Sequence, residues 1–352
     1  MLSLPSRLPR PAWLTTPLSR FVVAAIVLAA LVVVPFGLNN YYITLLTNIS
    51  VYAMLGLGLN IVVGYAGLLD LGYAAFFAIG AYVAAYLMTT YNWSFWLMLP
   101  LGAALAAVFG IIIGAPTLRL RSDYLAIVTL GFGEITRISA TNFSFTGGPN
   151  GIPSIPEPTL GNFTFQTPLQ YYFLALALAL VTLFCVARLG NSRIGRAWAY
   201  IREDELAAQA MGINTTRIKL LAYALGAVWA GLAGCFLAVQ LTAIDPTSFT
   251  FNTSVQILII VVLGGLGSIP GVILGAVVVI VTPELLRFLP PDQQPLRLLL
   301  FALALILLMI FRPEGLWPSR QRRREMHSYD VSLVGTAEAA AEAELVQEGA
   351  EP

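Results

Sequence analysis

Ionisable side chains inside apolar runs come first, because a charge held in hydrocarbon is costly and is retained mainly where it binds or moves something. Glu134 and Arg137 stand three apart within the run 124–140. On a helix that spacing puts both on one face and predicts a local ion pair. Asp70 falls near the boundary of an apolar run, where a carboxylate suits the cap of the helix that follows. Asp245 and Glu284 lie toward run ends, where water would solvate them. Catalytic chemistry has little to draw on. The one histidine, His327, sits in a polar tail, and Cys185 and Cys235 have no CxxC spacing. Neither HExxH nor GxSxG occurs, so no metal site and no catalytic residue is expected. The phosphate-cradling run GxxxxGK[ST] is also missing: the single lysine, Lys219, has no glycine context.

The elements that would hold these residues follow from composition. Of 352 residues, 58% are hydrophobic and 11% charged, with a net charge of +1. Soluble domains carry about 25% charged residues, so a soluble chain this apolar could not cover its surface. The basic residues fall in short clusters and form no broad face, which excludes a nucleic-acid module. The expectation is an all-α polytopic membrane helix bundle.

A helix needs about 20 apolar residues to cross hydrocarbon. Residues 21–38, 43–64, 68–88, 95–116, 169–187, 220–241 and 296–311 meet that description. The run 124–140 is weakened by Glu134 and Arg137, and the run 250–289 is broken by GGLGSIPG at 264–271. Basic residues stay on the cytoplasmic side of short loops, and this settles both. Arg188, Arg193, Arg196, Arg202, Arg217 and Lys219 fall in one loop, and both chain ends are arginine-rich. All three clusters share a side only if 124–140 crosses and the glycine-rich break turns between two crossings, giving about ten spans with both termini cytoplasmic. Of the 19 basic residues, only Arg137, Arg287 and Arg297 then fall toward the other face. Residues 21–38 are read as a retained first span, since no small-x-small cleavage site follows. With five spans in each half, any repeat between the halves would be inverted.

The expected organisation is a cytoplasmic segment 1–20, a transmembrane domain 21–312, and a tail 313–352 too polar for a core and expected to be disordered. Within the domain, 141–168 forms an external loop and 188–219 a cytoplasmic one. Gly110 with Gly114, Ala230 with Gly234, and Gly267 with Gly271 and Gly275 recur at four-residue spacing, which lets membrane helices approach closely.

Inside the cytoplasmic loop, ELAAQAMG at 205–212 reads as a short helix. Glu203, Asp204 and Glu205 suit its positive start and Gly212 the position beyond its end. Leu206, Ala207, Ala210 and Met211 form a modest apolar face, a knob suited to a groove on another protein.

The Glu-x-Ala-Ala-x-x-x-Gly arrangement resembles the cytoplasmic coupling motif of ABC importer permeases, although here Leu206 separates Glu205 from the alanine pair. GYAGLLDLGYAAFFAIGAY (64–82), RLRSDYLAIVTLG (119–131), TGG (146–148), GGLGSIPG (264–271) and FRPEGL (311–316) are, in that order, similar to the LivM-type permeases of the branched-chain or hydrophobic amino acid ABC importer family. The resemblance implies a bacterial inner-membrane permease subunit that binds no cofactor of its own. Its partners would be a second, LivH-like permease, two cytoplasmic ABC ATPases holding ATP and Mg, and an external solute-binding protein. Carried onto this chain, coupling to the ATPases falls to Arg202, Glu205, Ala207, Ala208 and Gly212. The substrate pathway falls to Tyr65, Phe76, Phe77 and Glu134, and contact with the binding protein to Gly147, Gly148 and Asn150. A urea or amide importer permease and an ion-coupled secondary transporter stay open as alternatives.

Overall fold

A computed structural model describes residues 29–117, 122–161, 163–286, 299, 302, 303, 306, 310 and 315–318. The first expected span (21–38) lies partly, and the last (296–311) and the tail largely, outside the described residues. The described residues are mostly helical. A helix α1 (Asn40–Leu59) runs directly into a π-helical turn, Asn60–Tyr65. It is followed by α2 (Ala74–Tyr91), α3 (Phe95–Thr117), α4 (Ser122–Asn142) and α5 (Pro168–Gly190). Two short helices, α6 (Arg193–Glu203) and α7 (Glu205–Ala210), precede α8 (Thr215–Leu241), α9 (Phe251–Gly264) and α10 (Ile269–Leu285). Among the described residues, five helices are long and apolar enough to cross a membrane: Asn40–Tyr65, Tyr73–Tyr91, Phe95–Thr117, Pro168–Gly190 and Thr215–Leu241. With α4, α9 and α10 as further helices, the architecture is an all-α polytopic membrane bundle. The glycine-rich break at 264–271 is indeed a tight turn, with Gly265 at φ 118° between α9 and α10.

The span expected at 68–88 needs correction. Its helix starts at Ala74, and residues 66–73 have no helical structure. Hydropathy cannot see this, because an apolar residue scores alike in a helix and in an extended segment. The late start is deep. The Tyr73 hydroxyl donates to the Gly226 carbonyl at 2.8 Å, and Gly226 lies eleven residues into α8, roughly 16 Å from its first turn. Thus α2 begins near the middle of the bundle, with irregular backbone buried beneath it, a place where such backbone is tolerated inside a membrane protein.

Helix α8 is the central post, with α3, α2 and α1 against it. Small residues set the spacing: a Cβ added at Gly80 would stand 2.1 Å from the Gly231 carbonyl oxygen. Beside this crossing the buried Cys235 thiol donates to the Gly80 and Met98 carbonyls, which gives it a packing role. At one end of the bundle, exposed Tyr91, Trp93, Phe143 and Phe145 form an aromatic rim of the kind found at membrane–water boundaries. The same end carries a two-stranded hairpin, β1 (Thr159–Leu160) with β2 (Phe163–Thr164), inside the segment expected to be loop.

Candidate functional site

The loop between α5 and α8 is a braced bracket. Ser192 caps α6 by accepting from the Gly195 N–H at 3.2 Å. Trp198 of α6 is fully buried, donates from Nε1 to the Ile218 carbonyl at 2.7 Å, and lies parallel to Tyr65 with ring centroids 6.5 Å apart. Arg202 turns toward the membrane domain, where Nη1 donates to the Gly64 carbonyl at 2.6 Å. Asp204 caps α7, accepting from the Leu206 and Ala207 N–H groups at 2.8 and 3.0 Å, as the acidic run led one to expect. Gly212, at φ 83°, ends the turn. Glu205 pairs with Lys219 at 2.6 Å, and the Gln209 amide donates to the Thr215 hydroxyl at 3.0 Å, so α7 is tied to the first turn of α8.

This bracing divides the α7 residues into two sets. Ala208 is 3% exposed and packs inward, so it seats the helix and presents nothing to a partner. Leu206 and Met211 are 77% and 83% exposed and, with the exposed Ala207 and Ala210, make up the outward apolar knob.

On the membrane side of Arg202, the π-turn Asn60–Tyr65 is held at both ends. Asn60, fully buried, accepts from the Gly267 N–H of the α9–α10 turn at 2.9 Å. Residues 316–317 join the same turn, with the Leu316 and Trp317 N–H groups donating to the Leu263 and Gly264 carbonyls. Beyond the π-turn, Asp70 does not cap α2; its Oδ1 accepts from the Gly72 N–H at 2.8 Å, before the helix begins. It is 1% exposed, and its Oδ2 has no hydrogen-bond partner among the described residues. Thr129 of α4 accepts from the Leu71 N–H at 3.1 Å and fixes the segment to α4.

Where α2 begins, a narrow cleft opens between α2, α4 and the start of α9, lined by Leu71, Leu130, Glu134, Phe249, Thr250 and Ser254 among others. Glu134 and Arg137 form the expected pair, with Arg137 Nη2 2.8 Å and Nε 2.9 Å from Glu134 Oε2. Of the four pathway candidates only Glu134 reaches the cleft. Tyr65 is committed to Trp198, while Phe76 and Phe77 are buried against Phe132 and Phe249. Rings this well packed support the cleft wall and do not line it.

At the opposite end, Gly147 and Gly148 adopt φ 78° and 62° and turn the chain at Gly148–Asn150. The turn is stitched by the paired backbone of Ile152 and Ile244 to the loop that leads into α9. Asn150 is exposed there. Sequence reasoning missed Asn60, Thr129 and Ser254. A polar residue deep in an apolar run was the available signal for Asn60; nothing local marks Ser254, whose Oγ accepts from the Ala74 N–H at 2.9 Å, 180 residues away.

Residues 41–309 match the family described as branched-chain amino acid transport system / permease component. The chain belongs to that permease family. It is 42% identical to the high-affinity branched-chain amino acid transport system permease protein LivM of Salmonella typhimurium, over 88% of this chain and 77% of the relative. It is 44% identical to the protein of the same description from Escherichia coli K12, over 85% and 74%. At 28% identity it also matches the LivH permease protein of Salmonella typhimurium, over 76% of this chain and 91% of the relative. No solved structure matches. The permease is thus a multi-pass membrane transport subunit and not itself an enzyme.

Proposed function

We propose that this permease carries branched-chain or other neutral amino acids inward as one of two membrane subunits of an ABC importer, the other being LivH-like. Two cytoplasmic ATPases, which bind the ATP and Mg, drive it, and an external solute-binding protein delivers the substrate at the Gly147–Gly148–Asn150 turn. Both termini and the α6–α7 bracket then face the cytoplasm. The names of the relatives favour amino acids over urea or amides, and the bracket favours an ATPase-driven cycle over ion coupling.

The observation that carries this reading is the outward knob on a braced helix. Leu206 and Met211 stand almost fully exposed on an element whose other side is locked by Ala208, Glu205–Lys219 and Arg202. A rigid element with an apolar tip suits insertion into a partner's groove. Force on the tip would pass through α6 and Arg202 to Gly64 and the π-turn, since none of these contacts involves a flexible connector. Placing glutamates at Leu206 and Met211 together changes only exposed side chains. The double variant is expected to reach the membrane and keep its fold, yet lose co-purification with the ATPases and about tenfold or more of uptake, as loss of a central contact typically costs. Full co-purification and uptake would remove the knob from the coupling contact.

A further inference from the structure

Glu134 sits where an ion pair needs an explanation. It lies roughly 18 Å along α4 from Ser122, in the middle third of the helix. The pair is one-third exposed, 33% for Arg137 and 34% for Glu134, on a helix of a membrane bundle, where an ionised group facing lipid tails is costly. Nε and Nη2 of Arg137 both converge on Oε2. Oε1 has no partner among the described residues, and Glu134 lines the cleft at the start of α2 and α9. A half-satisfied carboxylate on a cleft inside a membrane bundle is a group waiting for a cation.

The rest of the cleft fits the remainder of one ligand class. Leu71, Leu130 and Phe249 give it apolar walls. Across the cleft, α9 begins with no side-chain cap and directs the positive end of its helix dipole toward this space, while the first N–H of α2 is already taken by Ser254 Oγ. A cationic group beside Glu134, a carboxylate near the start of α9 and an apolar side chain between the walls together describe a neutral amino-acid zwitterion.

We propose that this cleft is the transit site for the amino acid within the membrane, with Glu134 Oε1 receiving the substrate ammonium group. The site rests on the amino-acid transport reading above and assigns that substrate its contacts. The cleft holds about 180 Å3 of unfilled space, part of it open to the outside, and is nowhere wide enough to seat a water molecule. Passage of a substrate therefore requires the cleft to widen. The hydroxyl of Ser254, bonded to the Ala74 N–H, ties the two helix starts that would have to separate.

The test uses the assembled importer in proteoliposomes, with ATP and leucine-loaded binding protein in excess. Glu134→Gln is expected to lower leucine uptake about tenfold, the worth of a charge-assisted hydrogen bond, and Glu134→Asp to restore part of it. Wild-type uptake at the Glu134→Gln variant overturns the site. In a background with Cys185 replaced, Thr250→Cys is expected to react with a small thiol reagent several-fold more slowly during leucine turnover than during ATP turnover with empty binding protein. Equal labelling rates overturn the site even if Glu134→Gln fails to assemble. A wild-type complex that carries no leucine under these conditions overturns the transport reading itself, a failure distinct from either variant result.

Discussion

Arg202 is a charged residue in a basic loop, yet its guanidinium is spent on the membrane body, where it holds the Gly64 carbonyl at 2.6 Å. A charge-assisted bond to a backbone carbonyl contributes about 1.5–3 kcal/mol, enough to change the population of two conformations by tenfold or more. Deleting the donor with Arg202→Met leaves α6 anchored by Trp198 and its bond to Ile218. Uptake is therefore expected to fall about tenfold while the ATPases stay bound, since the outward tip of α7 is untouched. Transport assays paired with co-purification check this, and loss of both together would mean that Arg202 only supports the fold of the loop. At this scale the sequence is legible where partners are near in the chain. Glu134 with Arg137 and Asp204 with α7 could be read from spacing alone. Asn60 with Gly267, 207 residues apart, and Arg202 with Gly64, 138 apart, could not, because tertiary packing chooses those partners.

At the scale of elements, the helices α1, α3, α5 and α8 lie close to where apolar runs of membrane length placed them, and charge asymmetry pointed to α4 despite its two ionisable residues. Helix α2 was misplaced at its start, since residues 66–73 are apolar enough to belong to a helix yet are held in an irregular path by Asp70, Thr129 and Arg202-bound Gly64. What sets the spacing of α2 is its crossing with α8, where a Cβ at Gly80 would stand 2.1 Å from the Gly231 carbonyl oxygen and one at Gly234 would stand 2.2 Å from the Phe77 carbonyl oxygen. Gly80→Ala is expected to push the helices apart and destabilise the protein by about 1–3 kcal/mol, the usual cost of overpacking. Thermal unfolding of the detergent-purified protein measures this. An unchanged midpoint would show that the crossing can relax without cost. Gly131 of α4, where an added Cβ meets nothing within 4 Å, is the matched control and should tolerate alanine.

Across the whole molecule, two kinds of evidence give the bundle its polarity, and they come from different residues. Arg188, Arg193, Arg196, Arg202, Arg217 and Lys219 crowd the bracket at one end. The exposed Tyr91, Trp93, Phe143 and Phe145 and the Gly147–Gly148 turn lie at the other. Between them α5, 23 residues long and so about 34 Å, connects the turn-bearing loop to the bracket in a single crossing. A single crossing by α5 puts the two loops on opposite sides of the membrane, and the proposed orientation, with the basic bracket in the cytoplasm, follows the distribution of arginines. With Cys185 replaced and Cys235 buried beneath Gly80 and Met98, single cysteines can report the sides. Asn150→Cys is expected to react with a membrane-impermeant maleimide in intact cells opened only at the outer membrane. Met211→Cys, at an 83% exposed position of the bracket, should react only once the inner membrane is breached. Labelling of Met211→Cys in intact cells would put the knob out of reach of any cytoplasmic ATPase, and the coupling role of α7 would fall with it.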